Sequence, residues 1–295
     1  PDVHWLTPAS ATGYLADQIR DLIADVNLAP MRAKAKVYII DRADLLRGTA
    51  ANALLKTLEE PPAGVVFVLC GRTVAAMLPT IVSRCQVVPF RVTSPDAALQ
   101  AVLRESGASE REARIALAVA GTPARACDFL NSTSRRQVRR LVVRTIGELA
   151  RDDSWDVIKS AGEIVAAVKV PLADIKDAQD AAVKESSDFL TAAALKAVEA
   201  ANKRELTARE RSGMMEAIAA AESMLRDVLL TCEGVDAAIV NADAADAVAR
   251  ISAYASTSGV LAALAACSDA AKHLSRNVSA QLTLEVMLLA IKEAL

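Results

Sequence analysis

Val37-Tyr38-Ile39-Ile40-Asp41, then Ala51-Asn52-Ala53-Leu54-Leu55-Lys56-Thr57-Leu58-Glu59-Glu60-Pro61-Pro62, then Val65-Val66-Phe67-Val68-Leu69: on these three stretches the fold turns. The two outer runs are short, continuous and apolar, the length of strands buried on both faces of a parallel sheet. Between them Ala50, Ala53, Leu54, Thr57 and Leu58 recur at i, i+3, i+4, i+7 and i+8, so a helix over residues 49–60 presents one apolar face to that sheet. Pro61-Pro62 ends it, because proline lacks an amide hydrogen and pushes its predecessor out of helical geometry. A further apolar run at residues 87–90 follows Ser83-Arg84-Cys85 and predicts another strand. Strand, helix, strand and strand again is the pattern of a three-layer α/β domain.

Working outward, Pro1-Asp2-Val3-His4-Trp5-Leu6 reads as an extended segment entering mid-domain, with an amphipathic helix following around residues 14–27. Beyond Pro95 the strand signal disappears. Helices are predicted over residues 95–105, 109–120 and 123–130, divided by Ser106-Gly107 and Gly121-Thr122-Pro123. From about Arg135 to the end the sequence is Ala-rich helix, with breaks expected near Pro171, Thr207, Gly234 and Gly259 and no fixed-period repeat. The expected class is therefore α/β plus all-α, in three domains over residues 1–92, 93–134 and 135–295.

Composition agrees with a helix-rich chain long enough for two or three cores. Of 295 residues 53% are hydrophobic but only 3% aromatic, so the cores must be built from Ala, Leu, Val and Ile. Charge is uneven: residues 1–145 carry 19 Lys and Arg against 13 Asp and Glu, and the remainder 15 against 23. A basic front half suits phosphates or an acidic partner, and an acidic rear half suits protein packing; an ordinary solvated surface is the alternative. Five cysteines without a CxxC pair encode neither a disulfide framework nor a zinc site and fit a reducing cytoplasm. Apolar stretches such as residues 259–267 fall short of the roughly 20 a bilayer span needs, so no membrane is expected. Two histidines, His4 and His273, give little support to a metalloenzyme or a histidine triad.

Residues 36–90 resemble the second half of a clamp-loader AAA+ module. Residues 51–62 look like the helix that follows the Walker B strand in that family, and Ile81-Val82-Ser83-Arg84-Cys85 looks like its Ser-Arg-Cys motif. The opening Pro1-Asp2-Val3-His4 is similar to the segment after the family's zinc-binding module, which implies a P-loop strand and zinc ligands upstream. The resemblance is sharp over residues 1–90 and architectural beyond. It implies a partial AAA+ domain, a helical lid and a C-terminal collar for oligomerisation.

A Walker B strand ends in a carboxylate because open α/β sheets bind ligands at that edge, where an Asp can hold the magnesium of ATP. Asp41 stands there, either in that role or as a residue capping the next turn. Hydrolysing members place a Glu beside it; here Arg42 follows, which cannot accept a proton. That departure selects the non-hydrolysing delta-prime family of bacterial DNA polymerase III clamp loaders over the ATP-hydrolysing subunits, the other reading, which requires an intact P-loop. By resemblance Arg84 is a finger offered in trans to ATP-Mg on a neighbouring subunit, with Ser83 and Cys85 as its motif. Thr73 stands where the family's sensor residue would, or is a polar residue ending a strand. Arg125 is displaced by one residue from the sensor-2 spacing and reads as structural. Lys56 is a weak candidate for DNA proximity. Arg135, Arg136, Arg139, Arg140 and Arg144 share one helix, with Arg136, Arg140 and Arg144 in a stripe that faces either solvent, a domain junction, acidic surface or DNA backbone. The resemblance implies tau/gamma and delta subunits, the sliding clamp and primer-template DNA as partners, and the cytoplasm as location.

Overall fold

Strands β1 (Val3–Leu6), β2 (Lys36–Ile40) and β3 (Val65–Leu69) pair in parallel in that order in the computed structural model. The structure describes residues 2–8, 13–90, 92–186, 189, 191–235, 239–276 and 278–295. Val3 lies opposite Val37, and Val37 opposite Val66, so alternate residues line a common face across all three strands. Parallel neighbours need crossovers, and these contain helices α1 (Ala16–Val26) and α2 (Gly48–Glu59). Ile19, Leu22 and Val26 of α1 and Ala50, Leu54 and Leu58 of α2 pack in one cluster with Tyr38 and Ile40 of the sheet. A four-residue helix, α3 (Pro79–Val82), adds Ile81 to that core.

Two expectations for this region fail. Val66 and Val68 of β3 are exposed, as are Val3 and Trp5 of β1, so among the described residues helices cover one face of the sheet rather than both. Residues 87–90 form no strand, and Val87, Val88 and Phe90 lie exposed. Pro89 supplies the local reason: without an amide hydrogen it leaves a gap in any ladder, so the apolar run lacks the pairing capacity its hydrophobicity suggests.

Polar side chains fix the loops of this unit. The buried Asp2 carboxylate accepts the amides of Met31, Arg32 and Ala33 at 2.6–2.8 Å, which holds the entry to β2. Asp25 accepts the Tyr38 hydroxyl at 2.6 Å and an ion pair from buried Lys36, and that Tyr38 bond leads in lowering its pKa.

The chain divides into two units, Pro1–Val92 and Thr93–Leu295. The second is helical among its described residues: α4 (Pro95–Ser106), α5 (Glu110–Ala120), α6 (Pro123–Asn131), α7 (Thr133–Glu148), α8 (Ser154–Ser186), α9 (Ala192–Cys232), α10 (Ala245–Ser252), α11 (Thr257–Ser275) and α12 (Ala280–Ala294). Gly107 and Gly121 end α4 and α5 in the left-handed conformation that glycine adopts without a Cβ penalty. One hydrophobic core runs from Val102 and Phe129 through Val142 and Ile164 to Leu225 and Leu288, so residues 93–134 and 135–295 share it. Pro171 lies inside α8 and Thr207 inside α9, neither breaking its helix. The Thr207 hydroxyl bonds the carbonyl of Lys203 at 2.9 Å, a contact available only within a helix turn. The break expected near Gly259 falls at residues 253–256, and Gly259 lies in the first turn of α11, where a Cβ would sit 2.2 Å from the carbonyl oxygen of Ala294. No described helix is long and apolar enough to cross a membrane.

Candidate functional site

The carboxyl edge of the sheet collects two of the predicted residues. Asp41 follows β2 directly, and the Cys70 amide donates to the Ile40 carbonyl at 2.9 Å, which sets the end of β3 beside it. Thr73 comes three residues later and caps a short 3-10 turn, its hydroxyl accepting the Ala76 amide at 3.2 Å. The Asp41 carboxylate accepts the amide of Arg42 at 2.9 Å, a turn-capping contact. Tyr14, which no sequence pattern singled out, has its hydroxyl within reach of the carbonyls of Leu6 (2.9 Å) and Asp41. Its single proton serves one at a time. Burial, followed by the Asp41 charge, pushes its pKa upward, so it stays a donor.

Arg42 is the one described non-glycine residue with positive φ, at +48°. A side chain in the left-handed region is disfavoured by roughly 1–2 kcal/mol. The backbone therefore turns sharply directly after Asp41, and the side chain it presents there is a cation. Among the described residues no group of three His, Cys, Asp or Glu is arranged to hold a metal ion.

Arg84 follows α3 after Ser83, which caps it. Its guanidinium donates to the Thr80 carbonyl at 2.9 Å and through Nε to the Glu59 carboxylate at 2.6 Å; its Nη2 also reaches that carboxylate. Glu59 lies at the end of α2, and its 25-residue separation from Arg84 hid the pair from sequence reading. The pair is partly exposed, with 31% and 47% of the two side chains accessible. Exposed ion pairs contribute about 0–1 kcal/mol, so this one leaves the guanidinium able to exchange partners at little cost. Cys85 packs half-buried against the core, and burial raises its thiol pKa, which fits a spacer rather than a nucleophile. Lys56 is exposed in the last turn of α2.

The arginines of α7 separate into two groups. Arg136, Arg140 and Arg144 are exposed along one stripe, while Arg135 and Arg139 turn inward. Arg135 and Arg125 both reach the buried Glu216 of α9. Arg125 is thus a structural partner, as its displaced spacing suggested. Arg139, 5% exposed, bonds Asp243 and Asn241. Glu216 and Asp243, the carboxylates that divide the stripe, are 81 and 104 residues away from their arginines and invisible to local pattern.

Comparison with known proteins bears on the first unit. The family model described as "DNA polymerase III, delta subunit" matches residues 1–94. A DNA polymerase III subunit delta' of Haemophilus influenzae is 37% identical over 119 residues, 40% of this chain and 36% of that protein. The delta' protein of Bacillus subtilis is 32% identical over 144 residues, 49% of this chain and 43% of its own. The tau subunit of B. subtilis is 46% identical over 94 residues, 32% of this chain and 16% of that protein. The chain thus matches less than half the length of each of these relatives. A gamma subunit-related protein of Thermotoga maritima superposes over 99% of this chain and 83% of its own at a TM-score of 0.47 and 18% identity. Over residues 1–94 the chain is thus similar to DNA polymerase III delta, delta-prime and tau subunits.

Proposed function

We propose that this chain belongs to a non-hydrolysing stator subunit of a bacterial DNA polymerase III clamp loader, in which Arg84 serves an ATP-bound neighbour. The observation that carries this reading is the setting of Arg84: a permanently charged fork just after α3, held by the partly exposed Glu59 carboxylate, the Thr80 carbonyl and the Ser83 hydroxyl. A guanidinium so placed can exchange Glu59 for the terminal phosphate of a neighbour's ATP and stabilise the charge that develops there. Asp41 followed by a left-handed Arg42 supports the absence of hydrolysis by this chain itself. Its partners would be the tau/gamma and delta subunits, with the sliding clamp and primed DNA met through the complex, in the cytoplasm.

The test is a loader reconstituted from purified subunits with clamp and primed DNA, comparing ATP turnover with the wild-type chain and with Arg84→Ala. Trans-acting arginines are worth about 10³–10⁵ in other nucleotide-hydrolysing systems, and a fall of at least a hundredfold with the complex intact is expected here. Unchanged turnover in a fully assembled complex removes the assignment. Similarity to tau subunits favours a second reading, that this chain hydrolyses ATP; magnesium-dependent turnover by the purified whole protein alone would establish it.

A further inference from the structure

We propose that a cleft between α5, α6 and α7 in the second unit binds the phosphate group of a nucleotide or of a polynucleotide backbone. This cleft, of about 490 Å³, has the size of a small-ligand site. Arg111 of α5 and Arg136, Arg139 and Arg140 of α7 line it, against two carboxylates, Glu112 and Asp243.

Both carboxylates are already engaged. Asp243 accepts two bonds from Arg139, at 2.6 and 2.9 Å. Glu112 accepts the hydroxyl and the amide of Ser109, at 2.7 and 2.9 Å, completing the capping box of α5. The side chains of Arg111, Arg136 and Arg140 make no hydrogen bond or close ion pair with another described residue, and although the Arg136 charge acts on Glu112, four guanidinium groups face two carboxylates here. Arg139 adds an independent sign: it is buried, it lines the cleft, and its Nε–H finds no acceptor among the described residues. Buried donors are almost always paired, so Arg139 is one acceptor short beside the cleft.

Phosphate is favoured over a carboxylate by geometry. A carboxylate offers two coplanar oxygens, whereas a phosphate group offers more oxygens in a tetrahedral arrangement and so suits forks arriving from two helices. Arg144 extends the exposed stripe past the cleft, one step of roughly 6 Å beyond Arg140 along the helix. A polynucleotide continuing past the cleft would reach it.

The experiment measures binding of inorganic pyrophosphate to the purified chain by calorimetry, and of a fluorescent single-stranded oligonucleotide by anisotropy. Saturable pyrophosphate binding is expected, weakened at least tenfold in Arg136→Ala/Arg140→Ala and by less in Arg136→Lys/Arg140→Lys, which retains charge but loses the forks. Thermal unfolding verifies that the variants fold, as exposed positions should. Oligonucleotide binding that competes with pyrophosphate and weakens in Arg144→Ala assigns the polynucleotide; pyrophosphate binding without such competition assigns a free phosphorylated ligand. The proposal is overturned by absence of saturable binding, by pyrophosphate binding that the double alanine variant leaves unmoved, or by a hexaglutamate peptide binding equally tightly with the same variant sensitivity. None of these outcomes depends on Arg84.

Discussion

Asp227 of α9 is fully buried, and its carboxylate accepts the amides of Val240 and Asn241 and the side-chain amide of Asn241. Asn241 in turn accepts from Arg139, so one carboxylate anchors a chain of contacts ending at the proposed anion cleft. Leaving buried donors unsatisfied costs about 1–3 kcal/mol each. Asp227→Ala should therefore destabilise the second unit by on the order of 3 kcal/mol, and Asp227→Asn by less, read as shifts in the urea midpoint. The Glu59–Arg84 pair should behave oppositely. Its exposure limits its worth, so Glu59→Gln should change stability by under about 1 kcal/mol and leave a reconstituted loader's ATP turnover near wild type. If Glu59→Gln lowered turnover as far as Arg84→Ala, Glu59 would be a positioning residue for the proposed finger. A motif singles out position 84 in the sequence; nothing there singles out Glu59, Glu216 and Asp243, because ion pairs closed over tens of residues leave no periodicity in a sequence.

At the scale of elements, legibility follows from how local the deciding interaction is. The helix 49–60 and strands at 37–40 and 65–69 were read nearly in place, since apolar spacing and Pro61-Pro62 decide them within a few residues. The breaks expected at Pro171 and Thr207 were wrong because tertiary packing outweighs propensity: Val165, Val168 and Met214 on those helices are buried in a common core. The closest approach of α8 and α9 explains Gly213, where an added Cβ would meet Val168 Cγ1 at 2.6 Å. Alanine gains about 1 kcal/mol of helix propensity over glycine, but overpacking against a stiff β-branched side chain costs about 1–3 kcal/mol. Gly213→Ala should consequently be destabilising on balance, and become stabilising in a Val168→Ala background. A double-mutant cycle by chemical denaturation reads that reversal; additive effects would mean the helices part without cost.

The whole molecule has two cores that share no residue, one around Tyr38, Ile40 and Leu54 and the other running from Leu99 to Ile291. Each unit is large enough to unfold cooperatively, so calorimetry should show two transitions, the smaller enthalpy belonging to the first. Acid gives a way to assign them. Backbone amides, with that of Met31 contributing most, then Ala33 and Arg32, hold the Asp2 carboxyl near pKa 2, against an ordinary aspartate value of about 3.9 in the unfolded chain. Because the folded value is depressed, the stabilisation is complete above the unfolded pKa and disappears as pH falls through the folded one. At pH 6 Asp2→Asn should lower the smaller transition while leaving the larger in place. That gap between variant and wild type should narrow below about pH 4 and close near pH 2. A gap constant with pH would show that the amides of residues 31–33 do not discriminate between the charged and neutral carboxyl; a shift of the larger transition would show that the two cores do not unfold separately.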